Sequence, residues 1–303
     1  MDALSDVLKN INLTSSVYFR EDFASPWGME MVESPFAQFH MVVNGKCWLT
    51  SPLLSEPKLL SGGDIVLFIY GDPHSLSDEV NSKKVPGQKV LEAHLAGKKI
   101  FKSEGNSTTL VCGHFELNRE SGHPLINELP RFIQIFGNKS YELNWMELVT
   151  SVIIQETDSG KPGSDVVSAK LAEVLFIQIL RNYLLKNHPA KGFLAALNDY
   201  KISNALSLIH KHPNGNWTLE KIARNIGMSR SAFAAKFKAL VGLTPMEYIT
   251  SWRMQVARKL LENKRLSMQY IAEEVGYTSE AAFSRAFKRL YAKNPGALRK
   301  TFL

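Results

Sequence analysis

Little in this 303-residue sequence suits a secreted or membrane-embedded protein. The opening residues Met1-Asp2-Ala3-Leu4-Ser5-Asp6 are not an apolar leader. No stretch approaches the roughly 18 apolar residues of a membrane span. A cytoplasmic protein with no membrane partner is expected. Cysteine is scarce: Cys47 and Cys112 are the only two, so no disulfide framework and no four-cysteine zinc site can be built. The phosphate-binding loop GxxxxGK[ST] is absent, as are the HExxH and GxSxG patterns. No catalytic residue, resident metal or cofactor is therefore nominated. What remains is a chain long enough for two domains, with 45% hydrophobic residues to supply their cores.

The stretch 218–300 contains one phrase written twice. Ile222-Ala223, Gly227, Phe233, Phe237 and Pro245 return as Ile271-Ala272, Gly276, Phe283, Phe287 and Pro295. The offset is 49 residues up to the glycine and 50 after it, so the extra residue falls in the turn. A repeat of this length is one supersecondary unit used twice. Leu219, Ile222, Ala223 and Ile226 recur at helical spacing. Gly227 supplies a left-handed helix end, and Ser229 can cap the next helix. Phe233, Phe237 and Leu240 face inward on that helix. Phe283, Phe287 and Leu290 repeat the pattern after Gly276. Two helices joined by a tight glycine turn suit DNA, because the second can enter a major groove while the first crosses the backbone.

Charge supports the same reading. Tyr200–Leu303 carries 18 Lys+Arg against 6 Asp+Glu, a net of +12, whereas the whole chain is +7 and residues 1–199 are −5. Basic charge confined to one region is a footprint of phosphate binding.

These residues, with the connecting helix Met246–Glu262 and the run Gly-Tyr-Thr-Ser…Phe-Ser-Arg-Ala-Phe-Lys at 276–288, resemble the AraC/XylS transcription regulators. The connecting helix, at about 17 residues, spans ~25 Å, a plausible strut between grooves ~34 Å apart. The resemblance implies two helix-turn-helix motifs, at about 218–241 and 267–291, in a seven-helix DNA-binding domain over 200–303. It implies base-edge contacts from Ser231, Ala234 and Ala235 in one recognition helix and from Glu280, Ala281, Ser284 and Arg285 in the other. Of these, only Arg285 can grip guanine bidentately, whereas alanine offers a methyl to thymine. Ser229, Arg230, Lys238, Ser279 and Lys288 suit phosphates, although Arg230, Lys238 and Lys288 can equally be ordinary solvated charges. The partner is double-stranded DNA, with RNA polymerase a further one. Activation is the family habit.

Residues 1–130 read as β structure. Asn44-Gly45 between Phe39–Val43 and Lys46–Thr50 signals a hairpin. Leu59-Leu60, Ser61–Asp64 and Ile65–Tyr70 read as strand, turn, strand. Gly71-Asp72-Pro73-His74 is a further turn. The polar segment 79–108 reads as a long surface excursion, and 110–117 as another strand. Short strands at this spacing suggest a jelly roll or small barrel. Phe39-His40…Gly45-Lys46-Cys47-Trp48-Leu49, Gly63-Asp64…Gly71-Asp72-Pro73-His74-Ser75-Leu76-Ser77-Asp78 and Val111-Cys112-Gly113 resemble the cupin sensor domain of one branch of AraC-type regulators, as does Pro162-Gly163…Leu171–Phe176. The fold expected is thus α+β: a cupin-like barrel with trailing helices over 1–187, a linker over 188–199 opened by the break at His188-Pro189-Ala190, and the helical domain.

From Tyr141 the period turns helical. Trp145, Leu148, Val149 and Val152 form one stripe. Leu171, Val174, Leu175, Gln178 and Ile179 lie on a helix from about Ser164 to Leu185. These helices either close the barrel core or form a homodimer seam over 141–187. His40, His74, Cys112 and His114 sit on or beside strands; Cys112 and His114, two apart, share a strand face. They can hydrogen-bond buried turns, hold zinc or copper, or touch an unidentified small-molecule or redox effector. Cys112 itself is either a small core residue or an oxidant sensor. A metal-dependent cupin enzyme with an accessory helical domain is the rival reading of the whole chain.

Overall fold

A computed structural model of the chain describes residues 3–11, 13–101, 105–117, 119, 123–137, 144–187 and 191–302, with the side chains of 144–147 and 158 left aside. Tyr141, the side chain of Trp145 and the break at His188-Pro189-Ala190 lie outside the described residues. The chain folds into two compact units. One comprises 13–117 and 129–185; the other gathers three stretches, 1–12, 118–128 and 186–303.

In chain order the elements are α1 (Ala3–Asn10), β1 (Thr14–Ala24), β2 (Gly28–Met31), β3 (Ala37–Asn44), β4 (Lys46–Thr50), β5 (Lys58–Ser61), β6 (Ile65–Phe68), β7 (His74–Ser77), β8 (Val85–Pro86), α2 (Gly87–Leu95), β9 (Ser107–Glu116), α3 (Pro124–Asn127), β10 (Phe132–Ile135), α4 (Asn144–Ser159) and α5 (Ser164–Asn187). The strands form two five-stranded sheets, ordered β1-β9-β3-β6-β10 and β5-β4-β7-β2-β8. One core joins them: Phe19, Val42, Val66, Leu110 and Cys112 from the first sheet meet Met29, Cys47, Leu49, Leu60 and Leu76 from the second. The first sheet is buried on its other face too. Phe115 packs its ring 5.0 Å from Phe176 of α5, and Thr150 of α4 reaches Met41. This explains the unbroken apolar run Ile65–Phe68, all four residues of which are buried. Alternation disappears when both faces are covered.

Two expected turns behave differently from the reading above. Asn44-Gly45 does not close a paired hairpin: β3 pairs with β9 and β6, whereas β4 pairs with β5 and β7 in the other sheet. Ser61–Asp64 likewise carries the chain from one sheet to the other. Both are corners of a double-sheet barrel, and a corner needs the same glycine chemistry as a hairpin. Nor is 1–130 purely β. The segment 79–108 contains α2, whose Val90 is buried and whose His94 Nδ1 lies 2.7 Å from the Glu21 carboxylate. Among the described side chains of α4 Ile153 is buried, while Leu148, on the stripe read as either closing the barrel core or forming a dimer seam, is 64% exposed. On α5, Leu175 and Ile179 are buried and Val174 is exposed.

The second unit adds α6 (Phe193–Asn198), α7 (Tyr200–Lys211), α8 (Leu219–Asn225), α9 (Arg230–Val241), α10 (Pro245–Leu261), α11 (Met268–Glu274), α12 (Glu280–Tyr291) and α13 (Pro295–Arg299). Seven described helices thus begin from Tyr200 onward, the number the family resemblance implies. Residues 193–198, placed in a linker by sequence, form the buried helix α6 instead, with Phe193 and Ala196 wholly enclosed. The Glu128 carboxylate accepts the Phe193 N–H. Gly192 precedes it at φ 93°, where a side chain would strike that carboxylate. Helix α1 buries Ala3 and Val7 and packs on α7 and α10; α3 packs on α6.

Candidate nucleic-acid interface and ligand cavity

The duplicated phrase folds as duplicated geometry. Thr218 caps α8 and Ser267 caps α11. Gly227 at φ 62° and Gly276 at φ 79° end those helices. The next residue then folds back: Met228 N–H donates to Ala223 O at 2.9 Å, and Tyr277 N–H to Ala272 O at 2.8 Å. This six-to-one bond is the Schellman closure that a left-handed glycine permits. Ser229 Oγ accepts the Ala232 N–H at 3.3 Å to start α9. Ser279 Oγ accepts the Ala282 N–H at 3.2 Å to start α12. Phe233, Phe237, Phe283 and Phe287 are fully buried. Leu290, expected inward, is 44% exposed, and Ala286 takes its place in the core. Between the copies runs α10, closed at its start by a reciprocal Thr244–Glu247 capping box.

The surfaces left open are those expected to read DNA. On α9, Arg230, Ser231, Ala235 and Lys238 are exposed and Ala234 is half-buried; on α12, Glu280, Ala281, Arg285 and Lys288 are exposed and Ser284 is half-buried. Ser229 and Ser279 are exposed at the helix starts. Among the described residues no salt bridge engages Arg230, Arg285 or Lys288, in contrast to Lys236, which pairs with Asp199.

The core beneath the first copy holds a polar chain that sequence reasoning missed. His123 Nδ1 accepts the Leu125 N–H at 3.1 Å, so its proton sits on Nε2 and faces Tyr248 Oη at 3.2 Å. The tyrosine hydroxyl donates onward to His210 Nε2 at 2.7 Å. His210 Nδ1 then points toward Asp6 of α1, 3.8 Å away. One neutral proton arrangement accounts for the bonds from Leu125 to His210 Nε2, and leaves a proton on His210 Nδ1 facing Asp6. Burial drives His123 down to about 3 and His210 well below the ordinary histidine value. Burial likewise pushes the Tyr248 hydroxyl far up. The sequence signal was slight: His210 directly follows the buried apolar residues Leu206 and Ile209 of α7, and His123 lies some 90 residues earlier in the chain.

In the sheet unit three of the four nominated residues converge. His74 Nδ1–H donates to Asp72 O at 2.7 Å; His40 Nε2–H donates to His74 Nε2 at 2.7 Å; Cys112 S–H faces His40 Nδ1 at 3.0 Å. His114 stands apart, its ring 5.0 Å from Tyr18 and 4.7 Å from Phe36. Burial holds His40 well below its usual value and lowers His74 to about 4, the Asp72 carbonyl opposing the latter. Burial raises the Cys112 thiol well above its ordinary range and Cys47 to about 12. A neutral thiol is a poor nucleophile toward oxidants. Among the described residues no group of three His, Cys, Asp or Glu is placed to hold a metal.

Beside this cluster lies a cavity of about 400 Å³, a size that takes a small organic molecule. His40 and Cys112 form part of its wall, with Phe19, Met29, Met31 and Leu91 supplying apolar surface. Residues from β1, β2, β3 and β9, together with the start of α2, converge on it.

A double-sheet barrel and a tandem helix-turn-helix module together define a two-part DNA-binding regulator. The family described as Cupin matches residues 2–185, and the Helix-turn-helix domain family matches 222–301. The chain is 32% identical to the HTH-type transcriptional regulator AlkR of Acinetobacter baylyi over 97% of this chain and 98% of that one. It is 29% identical to a putative AraC-like transcription regulator of Streptomyces lividans, covering 99% and 98%. Among solved structures, unsaturated fatty acid bound ToxT of Vibrio cholerae is similar at 14% identity and a TM-score of 0.37, covering 94% of this chain and 95% of that one. The chain belongs to the AraC-type transcription regulators with a cupin N-terminal domain. Among the described residues no helix is long and apolar enough to cross a membrane.

Proposed function

We propose that this protein binds a specific operator by placing α9 and α12 in successive major grooves of one duplex, and that occupancy of the barrel cavity controls that binding. The observation that carries the reading is the pair of matched hairpins, each presenting its second helix openly within the basic region. Arg285 reads guanine through paired hydrogen bonds. Glu280 and Ser284 read neighbouring base edges, while Ser231, Ala234, Ala235 and Ala281 contribute contacts and close fit. Arg230, Lys238, Lys288 and the capped helix starts at Ser229 and Ser279 hold phosphates. Burial of Cys112 favours an organic effector over an oxidant.

Two copies pair through α4 and α5, whose exposed Leu148, Val166, Val167 and Val174 need cover. The assembly acts in the cytoplasm, where its DNA lies, and activates transcription by contacting RNA polymerase. Selection of bound genomic fragments tests the reading directly. The expected result is a small set of fragments sharing a motif, held with an affinity that falls steeply with salt. Equal retention of all fragments would defeat it.

A further inference from the structure

We propose that the barrel cavity selects an uncharged amphiphile, with an apolar body and a hydroxyl head, and rejects carboxylates of the same length. This rests on the reading of the cavity as the effector site. The polar atoms of its wall carry the inference. The described residues lining the cavity include no lysine or arginine, so an acid group would enter without a counter-ion. Two carboxylates, Glu30 and Glu33, line the cavity and are exposed; they repel a second negative charge. Removing an unpaired charge from water is costly, whereas a hydroxyl needs only one or two hydrogen bonds.

Within the wall one acceptor has no donor. Gln38 Oε1 is buried and lacks a hydrogen-bond partner, although Gln38 lines the cavity. An unsatisfied buried acceptor is a standing demand for a donor, and a hydroxyl proton meets it. A carboxylate, having no proton at neutral pH, would instead place lone pairs against that oxygen. His40 offers no positive charge in compensation, because its Nδ1 is turned to the Cys112 thiol and its Nε2 proton to His74. The start of α2, with no side-chain cap, also opens on the cavity. Its N–H groups can donate to the hydroxyl oxygen, and the favour a first turn shows to an anion is opposed here by the Glu30 and Glu33 carboxylates in the same wall. Tyr18, Ser34 and Gln88 add neutral polar groups to the wall, and its apolar part is adaptable: Met29, Met31 and Leu91 form walls that flexible thioethers can remould around an alkyl or aryl body.

The test titrates 1-decanol and decanoate, matched in length, into the full-length protein at pH 8, following saturable binding by calorimetry and thermal midpoint. The expected result is one decanol per chain, bound at least tenfold more tightly than decanoate. Gln38→Leu should erase most of that preference. Leu91→Trp, which fills the chamber, should abolish decanol binding; Met31→Trp serves if the first variant does not fold. Decanoate binding as tightly as decanol, and lost in the filled variant, overturns the choice of head group while leaving the cavity as the effector site. Absence of binding by either probe, or decanol binding unchanged in both filled variants, overturns the cavity reading itself. The decanol-to-decanoate ratio on the native chain needs no variant and decides the head group alone.

Discussion

The two helix-turn-helix copies share a frame and differ in what the frame carries. Caps, left-handed glycines, paired phenylalanines and the following proline correspond position by position. Outward, the first recognition helix offers Ser231, Ala234 and Ala235, and the second offers Glu280, Ser284 and Arg285. Inward, the core of the first holds His210, Tyr248 and His123. The core of the second, built on Met254, Leu261, Ile271, Val275, Phe283 and Phe287, contains no histidine among the described residues. A duplicated scaffold tolerates such divergence because fold depends on the buried stripe and the turn. Readout depends on side chains that the fold leaves free.

The largest test of the shared frame is truncation of its anchors. Phe233→Ala and Phe283→Ala should each destabilise by about 3–5 kcal/mol in denaturant unfolding. A disparity greater than about 2 kcal/mol would show that the copies are not equivalent supports. Acid should then separate the copies. His123 and His210 stay neutral in the folded unit, with values depressed below the ~6.5 of a free histidine. Their contribution is therefore complete above about pH 6.5 and lost as pH falls, by up to about 1.4 kcal/mol per pH unit for each histidine. For His123 the loss continues to about pH 3. Hydrogen exchange at pH 5 should speed up in α7 and α10 before α12; a reversed order would break the contrast.

On the outward side, Arg285→Ala should cost about 1–3 kcal/mol on the preferred operator and relax specificity at one base pair. Equal loss on random DNA would assign Arg285 to the backbone. Ser229→Ala and Ser279→Ala should each remove about 1 kcal/mol of stability, measured by thermal unfolding. The smallest effect is expected from Lys288→Ala: uniform weakening across sequences and a salt slope shallower by about one.

Much of the helical unit was legible because local chemistry dictates it. A left-handed helix end selects glycine, a cap selects serine or threonine, and a buried stripe recurs at helical spacing. The barrel was legible as a set of strands, but its corners were not. Gly45, at φ 81°, turns the chain between sheets as readily as it would close a hairpin, and only long-range pairing distinguishes the two. Helix α2 escaped notice because it buries Val90 alone along its length, which leaves a composition like that of a loop. His40, His74 and Cys112 could be nominated from strand positions. Their convergence, and the separation of His114 from them, depends on how β3, β7 and β9 are placed in the barrel. The His123–Tyr248–His210 chain joins residues up to 125 positions apart, beyond the reach of any local pattern.

The placement of α1 and α3 has a consequence for anyone exchanging modules. The strands β1 and β9, which help wall the cavity, adjoin in sequence two helices that belong to the core of the DNA-binding unit. A chimera spliced at residue 190 would therefore import foreign parts of that core along with a foreign sensor, mismatching Ala3, Val7 and His123 to their seats. A single proteolytic nick in the same stretch should leave two fragments that still elute together.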